Sequence, residues 1–407
     1  MILERPILPL PRLRALPRQF GGVYAANAIV GFVFAASGPA AVILAVGARG
    51  GLSEAELASW LFGAFFLNSL ISIAMCLLYR TPLVFFWTIP GTVLVGPALE
   101  HLSFPEVIGA FYATGLLMLG LALTGWVRRC MEAVPMPVVM AMVAGVFLKF
   151  GLDLVLAFRD GFWIATAMTA VFLALSLLPR LSRVVPPLIG ALIAGAAAIA
   201  VLGEFAPMGA APLALTPPTL YAPEFSWGAM VELVVPLAIT VLVVQNGQGI
   251  AVLGAAGHKP PINAITAACG IGTLACAVVG AAPTCLTGPV NAIIAGGGER
   301  QRQYTAGIFV GLIGLVFGIL APVFTRLMLA TPASFIAVLA GLGMLRVLQA
   351  AFTVAFGGRF PLAALVTFLI TVADVSIFHI GAPFWGLVFG FAAAWLLERD
   401  DFRRATD

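Results

Sequence analysis

Charged side chains are scarce in this chain. Asp, Glu, Lys and Arg make up 9% of its 407 residues, whereas hydrophobic residues make up 62%. Soluble domains carry about 25% charged residues, so this composition excludes a soluble globular protein. Apolar segments recur along the whole sequence, and most reach the roughly 20 residues with which a helix crosses a bilayer. The composition therefore predicts an all-α polytopic protein whose surroundings are the lipid bilayer.

Histidine and cysteine are also rare, and the net charge of +4 is too small to indicate a nucleic-acid partner. The odd number of cysteines and their spacing from the three histidines argue against disulfides and metal sites. They are interpreted as reduced, small hydrophobic residues: Cys76, Cys130, Cys269, Cys276 and Cys285. No Ser-His-Asp order, paired His-Glu spacing or phosphate-binding glycine loop stands out. The sequence therefore predicts no enzyme, no cofactor and no metal.

Fourteen apolar segments are separated by charges or by clusters of proline and glycine. They are 20–46, 56–79, 83–99, 104–126, 133–152, 161–178 and 185–203 in the first half, and 228–254, 261–280, 283–297, 303–322, 331–350, 361–376 and 380–397 in the second. Seven spans per half is an odd number, so the second half must insert upside down relative to the first. The third and tenth segments are short and broken by proline and glycine.

The distribution of basic residues predicts the orientation. With the N-terminus in the cytoplasm, sixteen of the 21 Lys and Arg residues fall inside and three fall outside, as the positive-inside rule requires. Both termini are thus expected in the cytoplasm of a bacterial-type inner-membrane, multi-pass protein. The predicted organisation is a cytoplasmic segment 1–19, a first inverted repeat 20–203, an extracytoplasmic loop 204–227, a second repeat 228–398 and a cytoplasmic tail 399–407.

One polar, proline-broken segment occurs in both halves at a spacing of 199 residues: 88–92 (TIPGT) and 287–291 (TGPVN). Interrupted helices in paired repeats are the best sequence indication of a transporter's binding site. We expect each proline to end an extended segment and to start a half-helix. The two N-termini would face each other near the bilayer centre, and their free N–H groups and positive dipole ends would stabilise an anion.

The candidate binding groups are Thr88, Pro90, Gly91 and Thr92 in the first copy, and Thr284, Thr287, Gly288 and Asn291 in the second. The alternative for the threonines is a hydrogen bond to the carbonyl four residues earlier, which is common in membrane helices.

A second polar pair lies in the first and eighth segments. The sequence 36–39 (ASGP) has its counterpart in 244–249 (VQNGQG). Polar groups at this depth either line a cavity or bond helices to one another. The candidates are Ser37, Gly38, Gln245, Asn246 and Gln248, and both interpretations remain open for them.

Ionisable residues within the spans lie toward the span ends: Lys149, Glu232, Arg346 and Asp374. The predicted site is therefore neutral, with positive dipole ends, which suits a small monoanion better than a cation. Glu232 and Asp374 are candidates for carrying a proton, although interfacial anchoring is the stronger interpretation for both.

The chain resembles the BenE family of benzoate:proton symporters over nearly its whole length. The similarity rests on 36–39 (ASGP), 85–92 (FFWTIPGT), 125–129 (GWVRR), 135–137 (PMP), 244–249 (VQNGQG) and 284–289 (TCLTGP). This family is similar to the nucleobase, anion-exchanger and sulfate transporters. The resemblance implies a 7+7 inverted repeat with a core domain (20–130 and 228–322) and a gate domain (131–203 and 323–398). Substrate would bind between spans 1, 3, 8 and 10.

The resemblance further implies import of benzoate, or a related aromatic carboxylate, together with a proton by alternating access. The ring would need an apolar wall, for which Phe32, Phe34 and Leu286 are candidates. Proton-coupled nucleobase carriers of this fold have carboxylates on spans 8 and 10, whereas this chain has Gln245 and no acid around Pro289. A nucleobase or inorganic-anion carrier remains the alternative. Related folds often dimerise through the gate, and the sequence leaves a homodimer open.

Overall fold

The computed structural model describes residues 3–6, 9–11, 16–127, 129, 131, 135–178, 181, 185–206, 217–375, 377 and 382–403. Of the residues discussed above, Cys130 lies outside this set, as do parts of the predicted segments 1–19, 204–227 and 399–407. The described residues form an almost entirely helical structure with one two-stranded sheet.

The first half contains ten helices among its described residues. They are α1 (Leu16–Gln19), α2 (Gly22–Ala36), α3 (Gly38–Arg49), α4 (Glu54–Phe62), α5 (Asn68–Tyr79), α6 (Ile89–Ala98), α7 (Phe104–Thr124), α8 (Met136–Asp160), α9 (Phe162–Leu177) and α10 (Pro187–Leu202). A π-helical turn, Gly63–Leu67, joins α4 to α5, and strand β1 (Phe85–Trp87) precedes α6.

The second half has a matching order of elements. The helices are α11 (Trp227–Ile239), α12 (Gly247–Ala255), α13 (Ile262–Ala277), α14 (Gly288–Ala295), α15 (Tyr304–Ile319), α16 (Ala321–Leu329), α17 (Ala333–Phe356), α18 (Pro361–Ala373), α19 (Ala382–Leu397) and α20 (Arg399–Arg403). Strand β2 (Thr284–Leu286) precedes α14, as β1 precedes α6.

Seven helical segments in the described part of the chain are long and apolar enough to cross a membrane, and six further apolar helices are shorter. This confirms the prediction of an all-α polytopic membrane protein. Helix α8 packs along α17 and α18, while α7 packs along α13 and α5 along α15. Each of these contacts joins the first half of the chain to the second.

Two of the long segments are interrupted at their polar motifs. Ser37 separates α2 from α3 with a non-helical backbone (φ −95°, ψ −103°), and its hydroxyl donates to the Phe34 carbonyl at 3.1 Å. The segment Trp227–Ala255 contains a π-helical stretch, Thr240–Asn246, directly after α11. Pro236 in α11 has no N–H with which to continue the α-helical ladder. π-helical turns of this kind often occur at functional sites.

Strands β1 and β2 pair antiparallel, with Phe85 opposite Leu286 and Trp87 opposite Thr284. The pairing continues through Thr88 N, which donates to Pro283 O at 2.9 Å, and Thr287 N, which donates to Val84 O at 3.0 Å. Both strands are fully buried. Extended backbone is stable at membrane depth only where protein satisfies it. Here the strands satisfy each other together with side chains of neighbouring helices, such as Ser72 at Phe85 and Thr273 at Thr284.

An aromatic cluster packs behind this sheet. Phe65 contacts the rings of Phe32, Phe86, Trp87 and Phe317 at centroid distances of 4.5–5.8 Å. Such pairs contribute about 0.5–1.5 kcal/mol each beyond the area they bury. The cluster thus packs against the end of β1, directly before α6 begins. Phe32, a candidate for the ring wall, belongs to this cluster.

Candidate functional site

A cavity of about 940 Å³ lies where the polar interruptions meet. Its lining comes from α2, the start of α6, the π-helical stretch before α12, the start of α14, and helices α8, α9 and α17. Most of the lining is apolar, including Val33, Phe34, Met140, Phe172 and Leu342. Ligand pockets commonly have this size and this mainly apolar character. The cavity can therefore enclose a small molecule with an apolar ring.

Four of the predicted site residues line this cavity: Ser37, Pro90, Gln245 and Gln248. Pro289 of the second motif lines it as well. Gln245 forms no side-chain hydrogen bond within the described part of the chain. The Gln248 carboxamide lies over the start of α14, since a methyl group added to Gly288 would come within 2.6 Å of its Oε1 atom. Both amides therefore remain available to a molecule in the cavity.

At the N-terminus of α6, the cap residue satisfies one backbone N–H group, that of Gly91. The Thr88 hydroxyl accepts a hydrogen bond from Gly91 N at 3.2 Å and donates one to Thr240 Oγ1 at 3.1 Å. The Thr92 hydroxyl donates a hydrogen bond to the Thr88 carbonyl at 3.0 Å. This is the bond to the carbonyl four residues earlier that was the alternative interpretation for the threonines. Glycine is required at position 91, because a methyl group added there would lie 2.3 Å from Thr88 Cγ2.

The N-terminus of α14 is not capped in this way. Thr287 makes no side-chain capping hydrogen bond to α14. Its buried hydroxyl has no nitrogen or oxygen partner among the described residues and lies near the Cys285 thiol. In the same part of the chain, neither Gly288 nor Val290 donates its backbone N–H. The first turn of α14 therefore keeps free donors and a positive dipole end.

Three other predicted site residues form hydrogen bonds within the protein and do not line the cavity. Asn246 accepts from Leu286 N at 2.7 Å and lies against the Cys269 thiol. Asn291 accepts from Val84 N at 3.0 Å and donates to Val84 O at 2.9 Å.

Thr284, the third, donates to Asn68 Oδ1 at 2.7 Å. Leu286 is fully buried against Gly249. Of the three candidates for the apolar wall, Phe34 lines the cavity and Phe32 and Leu286 do not.

Gly38 marks a close approach between two long helices. Its α-carbon faces Gly343 of α17, and a methyl group on Gly38 would lie 2.8 Å from the Gly343 Cα atom. The residue thus permits contact between α3 and α17 beside the cavity, although it does not line it.

Arg346, which the sequence places toward a span end and which is not among the predicted binding residues, lines this cavity. Among the described residues that line the cavity, it is the one that carries a charge. It is exposed, and no salt bridge to it exists in the described part of the chain. An ionisable residue inside an apolar span indicates a functional site, and that signal was present in segment 331–350.

The two candidate proton carriers lie away from this cavity. Glu232 is buried and lies 2.9 Å from His101 Nε2. Asp374 lines a separate cavity of about 250 Å³, together with Arg49, Glu100 and Lys149.

The Arg49 guanidinium in turn forms a salt bridge with Asp153 of α8. Charged groups thus gather at this second cavity, whereas the large cavity carries the single charge of Arg346.

Comparison with solved structures shows the fold. The transmembrane domain of the cyanobacterial bicarbonate transporter BicA aligns with a TM-score of 0.61 and 16% identity, over 95% of this chain and 98% of that one. The anion transporter SLC26A9 aligns with a TM-score of 0.64 and 14% identity, over 95% of this chain and 67% of that one. Murine SLC26A9 in its inward-facing state aligns with a TM-score of 0.61 and 15% identity, over 96% of this chain and 70% of that one.

Sequence comparison identifies the family. The inner membrane protein YdcO of Escherichia coli is 28% identical over 358 residues, which cover 86% of this chain and 90% of that protein. The benzoate membrane transport protein of Acinetobacter baylyi is 27% identical over 373 residues, covering 89% and 91%. Residues 20–396 match the profile of the benzoate membrane transport proteins. The chain is therefore a membrane transport protein rather than an enzyme, and it belongs to the BenE family.

Proposed function

We propose that this protein imports benzoate, or a related small aromatic carboxylate, together with a proton. The observation that carries the proposal is the composition of the large cavity: apolar walls, two free carboxamides and one positive charge, that of Arg346. An aromatic ring gains free energy against the apolar wall at about 25 cal/mol per Å² buried. A hydrated inorganic anion gains nothing there, so the cavity favours the aromatic acid over an inorganic anion.

The carboxylate would bind at the start of α14. The free N–H groups of Gly288 and Val290 and the unpartnered Thr287 hydroxyl provide donors there, and Gln248 lies over the same turn. Arg346 on α17 would add the counter-charge from another wall of the cavity. Hydrogen bonds to a charged group contribute about 1.5–3 kcal/mol each. Ser37, Pro90 and Gln245 would complete the surroundings.

The chain would cross the membrane fourteen times as a 7+7 inverted repeat. The support is the equivalent placement of β1–α6 and β2–α14, 199 residues apart in sequence. Helices 20–130 and 228–322 would form the core, and 131–203 and 323–398 the gate. The close contact of Gly38 with Gly343 would then lie between core and gate, where alternating access requires movement.

Both termini would face the cytoplasm of an inner membrane. In that orientation, Met136, Ser176 and Val354 lie at the cytoplasmic ends of their helices and line the large cavity. The cavity would therefore open inward, while the salt bridge between Arg49 and Asp153 would close the opposite side. Outward opening would require this salt bridge to break.

Proton coupling would remove the electrical cost of importing an anion. That cost is about 2.3 kcal/mol per 100 mV of inside-negative potential. Each unit of inward pH gradient would supply about 1.4 kcal/mol, or tenfold accumulation. The contact between Glu232 and His101 makes this carboxylate the better supported of the two candidate carriers.

Uptake of labelled benzoate into proteoliposomes tests the proposal. We expect accumulation driven by an inward proton gradient, abolished by a protonophore and inhibited by other aromatic carboxylates. Uptake that persists unchanged without any gradient would contradict symport. Inhibition by uracil or sulfate, without inhibition by aromatic acids, would replace the proposed substrate by a nucleobase or an inorganic anion.

A further inference from the structure

A third cavity, of about 840 Å³, lies apart from the binding site. Four segments form its walls: the N-terminal residues, the end of α5, the connection from α12 to α13, and the connection from α14 to α15. Five cationic side chains line it: Arg5, Arg80, Lys259, Arg300 and Arg302. The other titratable residues in the lining are two carboxylates, one histidine and one tyrosine: Glu4, Glu299, His258 and Tyr79.

The two carboxylates are already engaged. The Glu4 carboxylate accepts from the backbone N–H groups of Asn263 and Ala264, at 3.1 and 3.0 Å, and so caps the start of α13. Glu299 lies 3.6 Å from the Arg302 guanidinium. The cations outnumber the carboxylates by three, and the cavity is therefore electropositive.

Two of the cations are also engaged by protein. The Arg302 guanidinium donates to the carbonyls of Gln19 and Phe20 and lies over the Tyr24 ring. Arg300 donates to the Gly257 carbonyl at 2.9 Å. These contacts fix the positions of both guanidinium groups at the wall of the cavity.

Arg80 and Lys259 keep unused donors. The Nε atom of Arg80 is buried and has no hydrogen-bond partner among the described residues. Arg80 follows α5 with a left-handed backbone (φ 49°), and its N–H donates to Cys76 O. Lys259 is exposed and forms no salt bridge or side-chain hydrogen bond in the described part of the chain.

We propose that this cavity binds a phosphate-bearing anion, either the headgroup of an anionic phospholipid or a soluble phosphate. Arginine and lysine side chains are the usual partners of phosphate oxygens. Basic pockets on the cytoplasmic side of membrane proteins bind anionic headgroups, and the predicted topology puts all four segments on that side. A topological excess of basic residues alone would distribute them over separate loops and would not leave a buried guanidinium N–H unsatisfied in a concave wall.

Binding would also stabilise the protein, because the N-terminal residues form part of the wall. Glu4 joins these residues to α13, and its backbone carbonyl accepts from the Tyr79 hydroxyl at 2.7 Å. A bound anion would link the N-terminal residues, α5 and the α12–α13 connection in one network.

Native mass spectrometry and thermal unfolding of the purified full-length protein test this proposal. One arm adds phosphatidylglycerol, with phosphatidylcholine as the neutral reference; the other adds inorganic pyrophosphate without lipid. We expect one anionic ligand to be retained and to raise the Tm. The Lys259→Gln and Arg80→Gln variants should bind about tenfold more weakly. Arg359→Gln removes the same charge from a residue outside this cavity and should bind as the wild type does.

The results of the two arms distinguish a lipid headgroup from a soluble phosphate as the bound anion. Retention of phosphatidylglycerol alone assigns the site to a headgroup, and retention of pyrophosphate alone assigns it to soluble phosphate. Equal losses in Lys259→Gln and Arg359→Gln would show that only overall charge matters and would overturn the proposal, as would no binding in either arm. Lys259 is exposed, so its variant remains informative if Arg80→Gln fails to fold. Benzoate uptake serves as an independent measurement, because the two cavities share no lining residue.

Discussion

Helices α6 and α14 begin at equivalent positions in the two halves of the chain, each after a buried strand and each with a threonine at the cap and a proline in the first turn. At α6, the Thr88 hydroxyl satisfies Gly91 N and bonds to Thr240. At α14, the Thr287 hydroxyl and two backbone N–H groups have no nitrogen or oxygen partner among the described residues. The two halves thus share the backbone arrangement at this point, whereas the polar groups make different hydrogen bonds in each.

The difference extends to the last residue of each motif. Thr92 bonds only within its own helix, through the Thr88 carbonyl. Asn291 reaches the other half of the chain and satisfies both backbone groups of Val84. In the first copy, the link to the second half is thus made by Thr88, at the start of the motif, and not by its last residue. In the second copy, Asn291 joins the sheet to the first half, while the Thr287 hydroxyl caps no N–H of α14.

The largest expected effect is that of Asn291→Ala, with Thr92→Ala as its matched partner. Removing the Asn291 carboxamide leaves the buried Val84 N–H unsatisfied, which costs about 1–3 kcal/mol, while the Val84 carbonyl keeps its hydrogen bond from Thr287 N. Thr92→Ala removes one local bond and should cost less than about 1 kcal/mol. The Tm and the yield of folded protein measure this. Equal shifts in the two variants would remove the distinction between the copies.

Arg346→Gln should come next. If the anion binds at α14 and Arg346 is its counter-charge, loss of the cation should raise the KM for benzoate at least about tenfold, with an unchanged Tm. Arg346→Lys keeps the charge and should recover part of the affinity. Uptake kinetics in proteoliposomes measure both. An unchanged KM in Arg346→Gln would exclude this residue from substrate binding.

The cap threonines give a smaller but sharper comparison. Thr287→Val removes a hydroxyl that no described nitrogen or oxygen uses, so it should weaken benzoate uptake several-fold and leave the Tm within about 1 °C. Thr88→Val removes a helix cap and should cost about 1 kcal/mol of stability, with a smaller effect on affinity. The reverse pattern would place the ligand at α6 instead.

The smallest expected effect concerns His258 in the basic cavity. Burial lowers the pKa of His258 below its ordinary value of 6.5, Arg300 lowers it further, and a hydrogen bond to Gln303 opposes them. The ring is therefore neutral at pH 7.5 and gains a charge only as the pH falls below 6.5. Arg302, Lys259 and Glu299 also line this cavity. Phosphatidylglycerol should bind a few-fold more tightly at pH 5.5 than at 7.5, and His258→Gln should abolish that change. A pH-independent affinity in the wild type would contradict it.

The sequence predicted the membrane fold, the family and the polar interruptions because these depend on composition and on local motifs. The strands before α6 and α14 follow from Pro90 and Pro289, whose rings stop an approaching helix. Which side-chain amide bonds to the protein and which faces the cavity could not be predicted in this way. Gln245 and Asn246 are adjacent and chemically alike, yet Asn246 meets Leu286 N whereas Gln245 faces the cavity. Only the packing of β2 against the π-helical stretch decides between them.

Arg346 was missed for a related reason. Its position near a span end indicated its depth in the membrane. The sequence does not show, however, that a cavity borders α17 at this residue. The π-helical stretch Thr240–Asn246 was missed because one extra residue in a helical turn leaves no pattern in an apolar sequence.

The sheet has a consequence for the synthesis of the protein. Strand β1 finds its partner only in β2, about 200 residues later in the chain. At 5–20 residues per second, the ribosome needs about 10–40 s to deliver it. During that time the backbone groups of Val84 lack the partners that the second half provides, which is costly in the bilayer. The first half is therefore incomplete by itself, and its sheet forms only once the second half arrives.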